Sequence, residues 1–299
     1  MLGHLVAYEA EHGWHGAYRP AMVEELASSS APPPETLTGT DKVAYEWTGT
    51  VLLLSVLFHD VVYDPTRGDN ESASAVVAAE FLEVMQRESE AIISSSVVLT
   101  AAAAAPTSVA GSSALSFASS ITGAAVDDVS QQHSPSFSPA LPLLWVDAQA
   151  IEFVRDSTMT YILKTKEHLL VEPKQPLHLP ASPAEASTWA ETVVASAVVQ
   201  QGRDDPLHVF LDLDLAILGH PDTDTYRHRY AENIQREYSH YPRADFLKGR
   251  AGFLNDFAQH PQWYKTPYFF YRLEAQARHN TAQESKALSV ELAEAQLTS

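Results

Sequence analysis

The sequence predicts an all-α protein, a bundle of helices around one polar pocket, and three observations carry that expectation. Apolar residues recur at helical spacing through most segments of clear pattern. No segment alternates apolar and polar residues as a half-buried strand does. The two most apolar segments, Val51 to Leu57 and Val209 to Gly219, bring acidic side chains with them, Asp60 just beyond the first and Asp212 and Asp214 inside the second, which points to helices that deliver polar groups to an interior.

Taken in order, Leu5 to Leu26 has loosely helical spacing, and Ser28 to Gly39 reads as a Ser/Pro/Thr linker. Ala44 to Asp60 is a strongly apolar helix. Asp64 to Gly68 turns the chain, Asp69 or Asn70 caps the next helix, and Glu71 sits in its first turn, where a carboxylate is favoured. That helix is expected to run to about Arg87. From Ser94 to Pro142 the composition turns to Ser, Ala, Thr and Pro with almost no charge, an insertion with little to pack. Leu144 to Leu170 returns to the helical pattern, with His168 near its end. A second insertion spans Pro173 to Asp205, with a short helix around Ala184 to Val199. Beyond Asp222 the pattern gives helices at Thr225 to Ser239, Arg243 to Gln259 and Pro267 to about Leu292. One domain over residues 1–299 with insertions 94–142 and 173–205 is the simplest organisation.

Composition narrows the chemistry. With no cysteine in 299 residues, thiolate zinc sites, disulfides and cysteine nucleophiles are excluded. Oxygen and imidazole ligands remain, which suit magnesium, manganese, iron or cobalt. A net charge of -19, from 38 acidic and 19 basic residues, argues against nucleic acid and anionic membrane as partners. The first basic residue is Arg19, which does not fit a secretory signal, and the stretch from Ala91 to Ala105 is too short and weak to span a membrane. A cytoplasmic location is expected. No phosphate-binding loop, dinucleotide fingerprint, serine elbow or zinc-peptidase motif is present.

The most informative feature is Phe58-His59-Asp60, two metal-capable side chains at the end of an apolar helix. By itself such a pair more often marks where a helix leaves the core. Asp212 and Asp214 strengthen it, because ionised carboxylates in an apolar segment need a cation, a donor network or a metal. Residues two apart on a helix face different ways, so one aspartate, Asp214, is expected to serve the ion and Asp212 to brace.

The chain resembles the HD superfamily of metal-dependent phosphohydrolases, closest to a bacterial and fungal branch. The resemblance rests on Phe58-His59-Asp60-Val61-Val62-Tyr63-Asp64-Pro65, Asn70-Glu71 with Ser74-Ala75, Thr165 with His168, and the Leu211 to Gly219 segment. It continues through Tyr226, Tyr230, Arg236-Glu237-Tyr238, Phe246, Gly249-Arg250, Tyr264, Glu274, Ala277-Arg278 and Asn280. It implies an HD-type helical bundle around a metal pocket, with His59, Asp60 and Asp214 as ligands and a small phosphorylated metabolite or nucleotide as substrate, hydrolysed by a metal-activated water. The family's first ligand is the second histidine of a Tyr-His-x-x-x-His stretch. Only His4 corresponds to it here, so the chain is expected to begin inside that motif.

The resemblance also implies a role for His168 at the phosphate, at the leaving group or at a second ion. Glu71 is a candidate general base, with Asp64 of similar standing. Lys166, Arg236, Arg250 and Arg278 are candidate phosphate ligands, of which Arg250, beside Gly249 in a matching motif, is preferred. A di-iron oxygenase would require His168 with His178 or His208. A non-catalytic descendant that binds a ligand is a third reading. Composition leaves the oligomeric state open.

Overall fold

The computed structural model describes residues 1–12, 38–104, 147–179 and 204–297, with backbone alone at 12, over 95–104 and at 296. The described residues contain helices and no strand. None of these helices is long and apolar enough to cross a membrane. They fall into two compact units, Met1–Leu82 with Gln149–Ser299, and Glu83–Ala148.

In the first unit α1 (Leu2–His12) precedes α2 (Gly39–Phe58), which starts earlier than Ala44 and ends at the residue before His59. Helix α3 (Asn70–Ala104) starts where the Asp69-Asn70 pair suggests, then continues past Arg87 and through the first eleven residues of the segment expected from Ser94 to be an insertion with little to pack. Ser and Ala runs do not oppose helix as Gly and Pro do, and Pro106 lies beyond the helix end. Helix α4 (Ala148–Lys164) passes into a 3-10 turn at Thr165–Leu170 that carries His168. Helix α5 (Pro206–Asp214) is capped by Asp205, whose side chain accepts from the Leu207 N–H, with proline at the first position. A 3-10 turn at Leu215–Gly219 follows.

The remaining helices are α6 (Thr223–Tyr226), a π turn at Arg227–Ala231, α7 (Glu232–Glu237), α8 (Arg243–Ala258) and α9 (Pro267–Leu297). The helix expected over Thr225 to Ser239 is therefore interrupted by a π turn. The Leu5 to Leu26 helix is described only to His12, and the short helix expected at Ala184 to Val199 lies outside the described residues.

Helix α5 is the centre of the core. Val209, Phe210, Leu211 and Leu213 are all buried, packed with Leu52 and Val56 of α2, with Trp263 and Tyr264 just before α9 and with Phe269 and Phe270 in its first turn. Burial on all faces explains why the segment reads as continuously apolar. Helix α1 docks through Leu5 and Tyr8. The Tyr8 ring stacks on Phe269 with centroids 5.9 Å apart and meets Tyr268 edge-on at 5.1 Å. A smaller cluster joins Ala75 and Ala78 of α3 to Ile162 of α4 and to Phe58.

Candidate metal centre

The apolar face of α2 carries the chain to His59, whose backbone N–H still donates to the Ser55 carbonyl at 3.0 Å. The His59 ring is oriented by its own helix. Its Nδ1 lies 3.0 Å from the Val56 carbonyl oxygen, which only accepts, so Nδ1 bears the hydrogen and Nε2 points outward. The loop that follows is stapled to α3 by two side chains. Asn70 accepts the Asp64 N–H and donates to the Asp64 carbonyl, and Ser74 does the same with Val62.

Asp214 is brought to this point by a different device. Two residues earlier on α5, Asp212 is wholly buried and accepts from the Lys265 N–H at 2.7 Å, the Thr266 N–H at 2.8 Å and the Thr266 hydroxyl at 2.7 Å. That carboxylate joins α5 to the start of α9. After Asp214 the 3-10 turn is held by Tyr264, whose hydroxyl donates to the Leu215 carbonyl, and by Asn280, which donates to the carbonyls of Leu218 and His220. Gly219 lets the turn lie against α9, since a Cβ there would stand 2.6 Å from Leu273 Cβ. Asp214 is thus fixed from both sides.

Three chain segments meet as a result. His59 Nε2 lies 3.2 Å from Asp60 Oδ2 and 3.7 Å from Asp214 Oδ1, while His168 Nδ1 lies 4.0 Å from Asp214 Oδ2. Asp60 is open, with 61% of its side chain exposed, and Asp214 keeps 27% exposed. Burial pushes the Asp214 carboxyl up to about 6 against the pull of His59. Burial lowers His59, yet the Asp60 hydrogen bond and the charges of Asp214 and Asp60 outweigh it and raise its pKa. His168 is 7% exposed, neither ring nitrogen has a hydrogen-bond partner among the described residues, and burial with the Lys265 charge lowers it to about 3.

Donors sharing one ion at about 2.0–2.2 Å stand about 3–3.5 Å from one another. The His59 to Asp60 separation falls in that range, and the two separations to Asp214 lie a few tenths of an ångström beyond it. Accordingly, no group of three or more His, Asp or Glu side chains among the described residues is gathered tightly enough to enclose an ion as it stands. The donor types suit a divalent cation nonetheless, since His59 Nε2 faces oxygens of both carboxylates and His168 offers buried nitrogens without a hydrogen-bond partner among the described residues.

The structure places the other candidates away from these contacts. His4 is exposed in the first turn of α1, and its charged neighbours are the Met1 ammonium and His220; no ion pair joins it to Asp60 or Asp214. Asp214 feels the Met1 ammonium rather than the His4 ring. Glu71 is half-buried at the start of α3, and no hydrogen bond or ion pair among the described residues ties it to His59 or Asp214. Arg250 is not available to phosphate. Its guanidinium is held by Glu284 at 2.8 and 3.3 Å, between the rings of Tyr230 and Phe253, and the Tyr226 hydroxyl donates to the same carboxylate.

The lesser candidates are equally committed. Lys166 donates to the Gly68 carbonyl, Arg236 to Asn233 and Glu232, and Arg278 to Glu274. Asp64 accepts from Thr66. His178 is exposed, and neither it nor the buried His208 is joined to Asp214. The cation passed over in the sequence is Lys265, a single lysine in the aromatic stretch Trp263 to Tyr268; it is 4% exposed.

No protein-family model matches the chain, and no curated protein or solved structure is significantly similar to it.

Proposed function

We propose that the protein is a metal-dependent phosphohydrolase of the HD type, acting on a small phosphorylated metabolite or nucleotide. The observation that carries the reading is the convergence of His59, Asp60 and Asp214, with His168, from three separate chain segments. Two carboxylates and outward-facing imidazole nitrogen suit manganese, magnesium, iron or cobalt. When bound, a divalent cation supplies Lewis acidity toward a phosphoryl oxygen and toward water.

The chain's own residues do the rest. His59 presents Nε2 in a fixed direction because Val56 holds its other nitrogen. Asp214 supplies a charge braced on both sides, and the exposed Asp60 faces the solvent from which water and substrate arrive. A pKa of about 3 keeps His168 neutral at physiological pH, so it serves as a ligand or hydrogen-bond donor and not as a general acid. The oxygenase alternative loses support because His178 and His208 stand apart from Asp214.

Hydrolysis of p-nitrophenyl phosphate tests the reading. Activity is expected to need added manganese, to vanish with a chelator, and to fall by orders of magnitude in Asp60→Ala. A fully active Asp60→Ala protein, or activity indifferent to the chelator, would remove it.

A further inference from the structure

Outside the candidate centre, helix α8 presents a stripe that its own core does not use. Leu247 and Leu254 bury against Leu288 of α9. Phe246, Gly249, Arg250 and Phe253 share an adjacent face by their spacing and line a cleft of about 370 Å³, together with Ile234 of α7 and with Tyr238 and Tyr241 beyond its end. Small-ligand pockets run from about 300 to 1,000 Å³.

The lining is aromatic and half in water. The Tyr238 ring lies 6.1 Å from Tyr241 and 6.4 Å from Phe246, centre to centre, which makes one continuous wall. Tyr241 is 50% exposed and Phe253 53%. Clustered in this way they form a patch, unlike the scattered single residues that need no explanation. The wall is fixed where Glu237, the residue before Tyr238, accepts from the Tyr63 hydroxyl at 2.8 Å. The floor is open at Gly249, where a Cβ meets nothing within 4 Å. A glycine in mid-helix weakens the helix relative to alanine, so the gap is kept at the expense of α8.

Charge selects the occupant. Two of the rings already face cations, with the Arg243 guanidinium 5.5 Å from the Phe246 centre and that of Arg250 5.3 Å from Phe253. Both of those charges are balanced within the protein, by Glu291 and Glu284. Asp245, in the first turn of α8, also lines the cleft, and no hydrogen bond or ion pair engages its carboxylate among the described residues. One unbalanced negative charge therefore stands beside π faces, in a chain of net charge -19, and this attracts cations. A flat ring does not fit between members of the wall. Contact on both of its sides requires neighbours about 7–8 Å apart, more than the 6.1 and 6.4 Å found.

We infer that this cleft binds an alkylated ammonium group, with Tyr238 and Tyr241 supplying π faces, Asp245 the opposite charge, and the open floor at Gly249 the room for its alkyl groups. Alkylation suits the site because the carbon atoms pack on the rings while the positive charge stays within reach of their faces. His59, Asp60 and Asp214 do not line the cleft, and the inference does not depend on their role.

Calorimetric titration of choline into the full chain tests it, with dimethylbutanol, in which carbon replaces the charged nitrogen, as the comparison. Choline is expected to bind saturably at one site per chain, and the uncharged alcohol about tenfold more weakly or worse. Gly249→Leu fills the floor and is expected to abolish choline binding while melting no earlier than wild type. Asp245→Asn is expected to weaken choline by about fivefold, the attraction of unit charges about 4 Å apart in water. Tyr241→Leu, which keeps apolar bulk and loses the π face, is expected to weaken it by about 2 to 30-fold. No saturable uptake of choline by wild type, equal affinity for the alcohol, or undiminished binding in a folded Gly249→Leu would overturn the inference. Should Gly249→Leu fail to fold, the variants at the exposed positions 245 and 241 decide, and choline affinity unchanged in both contradicts it.

Discussion

His59 and Asp214 both hold their protons more tightly in the folded chain than when free, so a cation bound between them would compete with protons. The carboxyl of Asp214 rises from 3.8 to about 6, so between those values the folded chain holds more protons than the unfolded one and this group's contribution to stability falls as pH rises. His59 is raised above 6.5, so its contribution is complete below that value and is lost as pH climbs through the folded pKa. A cation competes with both protons. Manganese affinity is expected to climb through pH 6 by about tenfold per pH unit for each proton displaced, and to level off above the His59 titration. Titrations at stepped pH check this; an affinity flat from pH 5 to 8 would dissociate these residues from the ion. Asp212 behaves differently, because it braces rather than binds. Asp212→Ala strands two buried N–H groups and a hydroxyl and is expected to cost about 3 kcal/mol of stability in a denaturant titration. A change below about 0.5 kcal/mol would mean the brace is dispensable.

Among the elements, the 3-10 turn at Leu215–Gly219 decides where Asp214 points, and it lies so close to α9 that a side chain at Gly219 has no room. Gly219→Ala is expected to push α9 away and to destabilise by about 1–3 kcal/mol, with manganese affinity falling alongside. A variant as stable as wild type would show that α9 yields freely. The elements that carry the site were readable in sequence because their cues are local. The apolar run of α2 ends at His59, and of the two aspartates inside one apolar segment Asp212 is the brace that the sequence pointed to. Asp205-Pro206 was an equally local start signal for α5 that the pattern of the second insertion obscured. What could not be read depends on distant partners. Nothing around Gly249-Arg250 announces Glu284, 34 residues away, and the burial of Lys265 follows from its bond to Asp212, 53 residues earlier.

At the scale of the whole molecule, a charge of -19 repels the anion that a phosphohydrolase must bind. Under the proposed function, a divalent cation held by His59, Asp60 and Asp214 would be the local answer to that global field. The site residues all lie in the unit formed by Met1–Leu82 and Gln149–Ser299, so the segment Glu83–Ala148 supplies none of them. Cation binding to the folded chain alone would also stabilise it, by about 2.7 kcal/mol at a concentration 100 times the dissociation constant. The most direct measurement is an electron paramagnetic resonance titration of manganese into wild type and Asp214→Asn at pH 7.5. Saturable binding near one ion per chain, weakened by more than about 100-fold in Asp214→Asn while the far-ultraviolet spectrum stays helical, is the expected result; absence of saturable binding in wild type, or equal affinity in both proteins, would contradict a metal centre at His59, Asp60 and Asp214.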